Sequence, residues 1–225
     1  MPNLNIFLIR YANVLTQHET SCLRGAVIKA VDKADILFHN HVGDKFRYSY
    51  PLVQYKRIQG KAAIVCLGDG CVAVGHLLTQ SNVPLEINGR QESLEIESTN
   101  AETILVQEWN CMFNYSIRKY LPLNKENYQL YTNADGLVEK YSILEKCLVG
   151  NILSFGKGLG IHFEKGINLK ITDLMDTRLY RYKNVELMGF DLSFKCNVSL
   201  PSYIGLGKNV SIGYGTVVKI NKKIK

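Results

Sequence analysis

The sequence predicts an α+β fold built from two consecutive halves with antiparallel sheets. Three observations point to it. Short β-rich runs alternate with two helix-period segments through the first half of the chain. Asn88-Gly89 is a two-residue hairpin signal, and such turns join antiparallel strands. The charge also changes near residue 98: residues 1–98 carry 10 Lys+Arg against 9 Asp+Glu, and residues 99–225 carry 17 against 11.

Each element follows from its pattern. Residues 3–11 are rich in Ile, Leu and Phe and read as a strand. Residues 20–37 place Leu23, Val27, Ala30, Val31 and Ala34 at helical spacing, with Thr20 or Ser21 as the expected N-cap. A Tyr-rich period-two run at 46–53 and an apolar run at 62–67 read as the next strands, followed by a turn at 68–70 and a second helix from about Val72. Runs at 85–87 and 94–96 flank the Asn-Gly turn. The order β-α-β-β-α-β, with the last strand doubled into a hairpin, is the ferredoxin-like unit. We place the boundary between residues 98 and 99. In the second half a strand at 103–109 precedes the longest helical stretch, 124–148, which Gly136 divides. Strands follow at 161–171 and 182–198, with turns at Gly166 and near Gly189, and a last strand at 210–220.

The 225 residues are 46% hydrophobic and 21% charged, ordinary for folded domains of about 100 residues each. No run approaches the about 20 apolar residues that span a bilayer. The first ten residues read as a strand rather than a signal peptide. The six cysteines form no C-x-x-C pair and are expected as free thiols in a cytoplasmic protein. Net charge is +7, and from Lys146 onward 13 basic residues face 5 acidic ones. That excess indicates a polyanionic partner, nucleic acid before membrane, or a general solubility bias.

Two constellations carry chemistry. The first is Gly205-Leu-Gly207-Lys208-Asn-Val-Ser-Ile-Gly213-Tyr-Gly215, of form G-h-G-x5-G-h-G with h apolar or aromatic. Without Cβ atoms, backbone N–H groups can approach a phosphodiester chain, and Lys208 suits an anion. The string is no P-loop, since G-K-[ST] is missing. Its Ile204 and Ile212 are eight residues apart, out of phase with a hexapeptide β-helix.

The second is Phe38-His39-Asn-His41, followed by Lys45, Arg47, Tyr48, Tyr50, Tyr55, Lys56 and Arg57. Two imidazoles near neutral pH can serve as base and acid in a two-step proton transfer. The cations can balance a phosphate, and the tyrosines can stack on bases. The alternatives are packing or surface histidines, and a zinc site. His18, His76 and His162 are scattered and supply no clear third ligand, so no metal is expected. Trp109 reads as core and His162 as surface. The segment 178–183, with Arg178, Tyr180, Arg181 and Tyr182, suits single-stranded RNA or a solvated hairpin face.

A ferredoxin-like first half, a two-histidine loop after its first helix and a terminal G-h-G-x5-G-h-G together resemble the CRISPR RNA-processing endoribonucleases of the RAMP superfamily. The loop followed by Tyr48 resembles the branch using two histidines and a tyrosine. The resemblance implies two tandem ferredoxin-like (RRM-like) halves, the first carrying the His loop and the second the glycine loop. The substrate it implies is the repeat segment of CRISPR precursor RNA. The implied reaction is metal-independent cleavage by 2′-OH attack, leaving 2′,3′-cyclic phosphate and 5′-OH ends, with no cofactor. His39 and His41 would share base and acid roles, and Tyr48 would orient the 2′-OH or stabilise the phosphorane. Lys45, Arg47, Lys56, Gly205, Gly207, Lys208, Gly213 and Gly215 would contact RNA. A monomer or homodimer is expected, with other CRISPR-associated subunits as further partners. The alternative is a non-catalytic RNA-binding RAMP subunit of an interference complex.

Overall fold

The computed structural model describes residues 3–30, 41–42, 45–46, 50–79, 84–182 and 184–220. They fall into two compact units: Pro2–Leu105 with Ser211–Gly213, and Val106–Val210 with Tyr214–Lys225 and Met1.

In the first unit, β1 (Asn3–Val14) leads into α1 (Thr20–Ala30) and a small pair, β2 (His41–Val42) and β3 (Lys45–Phe46). Then come β4 (Val53–Ile58), β5 (Lys61–Leu67), α2 (Gly70–Thr79), the hairpin β6 (Leu85–Ile87) and β7 (Arg90–Glu92), and β8 (Ile96–Leu105). The sheet is antiparallel in the order β4-β5-β1-β8, the ferredoxin-like arrangement. Alternation along β1 sends Ile9 and Tyr11 into a core with Leu23, Val27 and Ala26 of α1, Val74 of α2, and Leu85 and Ile87 of the hairpin. Asn88 and Gly89 both have positive φ, 52° and 78°, as the two-residue primed turn requires.

Several expectations shift. β7 lies at Arg90–Glu92, directly after the turn, rather than at 94–96. The position 98/99 falls inside β8, which pairs with β1 from Tyr11↔Ile96 to Asn3↔Leu105. The helix start is Glu19, not Thr20 or Ser21: its carbonyl accepts from Leu23 N at 2.8 Å. Its buried carboxylate accepts from Thr16 N (2.7 Å), Arg90 Nη1 (2.7 Å) and Asn88 Nδ2 (3.1 Å), which ties the hairpin to the helix.

The second unit repeats the arrangement with one substitution. β9 (Glu108–Tyr120) is followed by α3 (Lys125–Asn133), α4 (Leu137–Gly158), β10 (Leu169–Tyr182), β11 (Val185–Val198), a 3₁₀ turn (Val210–Ile212) and β12 (Thr216–Lys219). Sheet order is β10-β11-β9-β12, again antiparallel and ferredoxin-like. The place of the second helix, between the third and fourth strands, is taken by residues 199–215, which contain the glycine string. Gly136 separates α3 from α4 as expected, and Asn124 caps α3 by accepting from Asn127 N at 2.7 Å. Leu144, Leu148, Ile152 and Phe155 form the buried stripe of α4. The turn between β10 and β11 is at Asn184 (φ 62°), not Gly189. Gly189 pairs with Arg178 inside the ladder, where a Cβ would sit 2.6 Å from the Tyr180 ring. The last strand is four residues long because the glycine string occupies the preceding positions.

The Arg90 guanidinium, together with the Thr16 amide, holds the Glu19 carboxyl down at about 2. An unfolded Glu titrates near 4.3, so this contribution is complete above about pH 4.3 and is lost as pH falls towards 2. Thermal unfolding between pH 6 and 2 should show Glu19→Gln less stable than wild type at pH 6, with the gap closing below pH 4. Parallel curves at all pH values would remove the ion pair from the account.

Candidate nucleic-acid interface

The glycine string is held by backbone bonds to the end of β9. Gly215 N donates to Lys119 O (3.0 Å), Leu206 N to Gly215 O (2.9 Å) and Lys208 N to Leu121 O (3.1 Å). The Lys208 ammonium donates to Leu123 O at 2.7 Å. Gly215, at φ +60°, lets the Leu206 carbonyl come where a Cβ would be 1.8 Å away. Gly207, at φ +91°, faces Leu121 O and the Tyr120 ring, at 2.9 and 3.0 Å from a would-be Cβ. Gly205 and Gly215 are buried, Gly207 and Gly213 half-buried, and Gly213 belongs to the first compact unit. The missing Cβ atoms therefore serve first to let the chain cross itself. Gly207 and Lys208 are the members that line a pocket of the second unit.

The entry to the loop is clamped by Tyr115, a buried residue of β9. Its hydroxyl donates to Val198 O at 2.9 Å and accepts from Leu200 N at 2.8 Å. Trp109 is 39% exposed rather than core, and its indole N–H donates to Ser199 Oγ at 2.9 Å. Reading a strand and a lone tryptophan from sequence does not reveal that residues 109–112 of β9 are exposed.

Of the proton-transfer candidates, His39, Arg47 and Tyr48 lie outside the described residues. For His41 and Lys45 the backbone alone is described: they sit on β2 and β3, in register His41↔Phe46 and Val42↔Lys45. Lys56 is not a surface cation. It is 1% exposed, and desolvation pushes its ammonium down to about 7. Tyr55 is a core residue, and Gln54 Nε2 donates to the Tyr50 hydroxyl at 2.9 Å. Neither tyrosine is an open stacking platform. Arg57 donates to Leu15 O at 2.6 Å.

The basic excess of the second unit is only partly neutralised. Arg118 pairs with Asp191 (3.1 Å), Lys170 with Glu145 (3.0 Å) and Arg178 with Asp176. Lys146, Lys157, Arg181 and Lys195 are exposed and have no acidic partner among the described residues. Tyr180 is half-buried edge-on against Tyr214 (5.5 Å, 86°), while Arg178 and Arg181 of the 178–183 segment are both exposed. His162 is at the surface, as expected. Among the described residues no cluster of three His, Cys, Asp or Glu could hold a metal ion. No helix among them is long and apolar enough to cross a membrane. All six cysteines are free.

Comparison with known proteins then assigns the family. Residues 2–104 match the Cas6b N-terminal domain, and residues 107–220 match the Cas6b C-terminal domain. The chain belongs to the Cas6b family. A crystal structure of Cas6b superposes with a TM-score of 0.90 at 29% identity, covering 97% of this chain and 100% of that one. A second, of the CRISPR RNA processing endoribonuclease Cas6b, gives 0.74 at 27% identity over the same shares. The uncharacterized protein MJ0978 of Methanocaldococcus jannaschii is 35% identical over 106 residues, 47% of this chain and 71% of that protein. The Cas6b match runs through both ferredoxin-like units, so the expected fold of two tandem halves holds.

Gly215→Ala should destabilise the protein by about 2–4 kcal/mol, because an added Cβ meets a backbone carbonyl that cannot move aside. Gly160, at φ +69° with nothing within 4 Å of a Cβ, provides the control. Gly160→Ala should cost about 1–2 kcal/mol, the left-handed strain alone. Denaturant unfolding of both variants measures the difference, and equal losses would mean that the crossing at Leu206 is not tight.

Proposed function

We propose that this Cas6b chain is a metal-independent endoribonuclease that cuts the repeat segment of CRISPR precursor RNA. The observation that carries the reading is the likeness, over 97% of the chain, to a structure of a CRISPR RNA processing endoribonuclease of the same family. The sequence supports it with a paired imidazole motif, His39-Asn-His41, between α1 and β3.

In the proposed reaction one of His39 and His41, as the neutral imidazole, takes the proton of a ribose 2′-OH. The 2′-oxygen attacks the adjacent phosphorus, and the P–O5′ bond breaks. The other histidine, as imidazolium, gives its proton to the departing 5′-oxygen. The products are a 2′,3′-cyclic phosphate and a 5′-OH, and no metal is needed. Tyr48 orients the 2′-OH or stabilises the phosphorane, and Lys45 and Arg47 balance its charge. The second unit grips the RNA through its unpaired surface cations, with Gly207 and Lys208 at the accessible part of the glycine string. Lys56, Gly205 and Gly215, all buried, have no part in that grip.

The test is cleavage of labelled repeat RNA in EDTA. Wild type should cut at undiminished rate, with a bell-shaped pH profile. His39→Ala and His41→Ala should each slow cleavage about 10²–10⁴-fold while RNA affinity stays nearly constant. Full activity in the double variant would remove the histidines from the chemistry. A wild-type protein that binds repeat RNA and never cuts it would make the chain a binding subunit instead.

A further inference from the structure

Inside the second unit is a pocket of about 470 Å³, between the first turn of α3, one face of α4 and the middle of the glycine string. Its position follows from helix periodicity. Ile143, Lys146, Cys147, Gly150 and Asn151 recur at three- and four-residue spacing along α4, and so share one side. That side flanks the buried stripe that packs into the core. Gly150 leaves a gap in it: no atom lies within 4 Å of where its Cβ would be.

The lining has a definite chemistry. Leu121, Pro122, Leu130 and Ile143 supply apolar walls. Three asparagines and two lysines supply the polar groups, and no Asp or Glu is present. The hydrogen bonds already made fix which polar atoms remain. Asn151 Oδ1 accepts from the Tyr120 hydroxyl at 2.7 Å, leaving its Nδ2 as a donor. Asn124 Oδ1 accepts from Asn127 N at 2.7 Å, again leaving Nδ2. Asn127 Nδ2 donates to Cys147 Sγ at 3.4 Å, leaving Oδ1 as an acceptor. Lys146 has no acidic partner among the described residues, and the Gly207 N–H has no hydrogen-bond partner among them. The Lys208 ammonium keeps donors beyond its bond to Leu123 O, so the pocket offers five donor groups, two of them cationic, against one amide acceptor, between apolar walls. A complementary occupant has flat apolar faces, an acceptor-rich edge and negative charge.

We propose that this pocket binds a single ribonucleotide, its base between the apolar walls and its phosphate towards Lys146 and the Gly207 N–H. A nucleotide of the RNA strand and a free ribonucleotide share this chemistry. The strand nucleotide, set beside the glycine string, rests on the RNA-processing function proposed above. A pocket of this volume is in the size class that takes one small molecule. Base stacking and charge-assisted phosphate contact are the two interactions its lining can supply.

Gly150→Leu tests it with little risk to the fold, because a helical glycine with open space before it is replaced by a better helix former. Lys146→Ala is the second variant. Binding of ribonucleoside 5′-monophosphates to the full chain is followed by calorimetry, and repeat-RNA affinity and cleavage are measured in parallel. Gly150→Leu should melt no lower than wild type, lose monophosphate binding and bind RNA about tenfold more weakly. Lys146→Ala should lower both affinities. Monophosphate binding lost with RNA affinity unchanged would assign the pocket to a free nucleotide. If wild type binds no monophosphate and Gly150→Leu binds RNA at full strength, the pocket proposal is overturned while RNA processing stands. If wild type binds no repeat RNA at all, the processing function falls, and the monophosphate titration decides the pocket by itself.

Discussion

The second unit depends on a bulge in β9. Opposite Asp191, the chain from Ile117 to Tyr120 holds one residue too many for the ladder, and Lys119 takes a left-handed conformation at φ 51°. Asp191 makes this tolerable. One carboxylate oxygen accepts the Lys119 N–H at 2.7 Å, and the other accepts from Arg118 at 3.1 Å. The displaced Lys119 carbonyl then points out of the ladder and receives the Gly215 N–H. That bond fixes where the glycine string ends and β12 begins. Through the crossing at Leu206 it also fixes where Gly207 and Lys208 lie against α3 and α4. A ferredoxin-like unit with a helix at this point would put backbone N–H groups into intrahelical bonds. A glycine-bearing crossover instead leaves a groove and a cationic rim.

Much of this fold was legible in the sequence, and its failures have physical causes. The Asn-Gly turn, the break at Gly136 and the first strand are dictated locally, by turn chemistry and side-chain period. Gly189 misled because a glycine in a strand and a glycine in a turn look alike without knowledge of the opposite strand. Only the register with Arg178 and the overlying Tyr180 ring reveals that the missing Cβ makes room for an aromatic side chain. The extent of β8 was hidden because Ile96–Leu105 is exposed along most of its length, so no apolar alternation marks it.

The candidate site was legible in type more than in geometry. The G-h-G-x5-G-h-G string marked the right segment for an incomplete reason. Open backbone was expected for an RNA phosphate, yet two of its glycines chiefly accommodate Leu206 and Leu121 of the same chain. Lys56 illustrates the limit of reading charge from sequence: one strand position separates exposed Arg57 from a lysine withdrawn from water. The pocket residues Lys146 and Asn151 carried no motif, since they converge with the glycine string only once α4 packs. Gly150 gave no clear sign either, since Gly156 lies in the same helix and only the structure shows that Gly150 faces open space while Gly156 packs against Phe163.

In the proposed function the ribose itself supplies the nucleophile for RNA cleavage. The direct measurement is mass-spectrometric end-group analysis of repeat RNA incubated with the protein in EDTA, beside the same RNA carrying a 2′-deoxyribose at the cut position. Attack by the 2′-OH predicts 2′,3′-cyclic phosphate and 5′-OH ends from the all-ribose substrate and no cleavage of the deoxy-substituted one. Cleavage of the deoxy-substituted strand, or products with 3′-OH and 5′-phosphate ends, would contradict it.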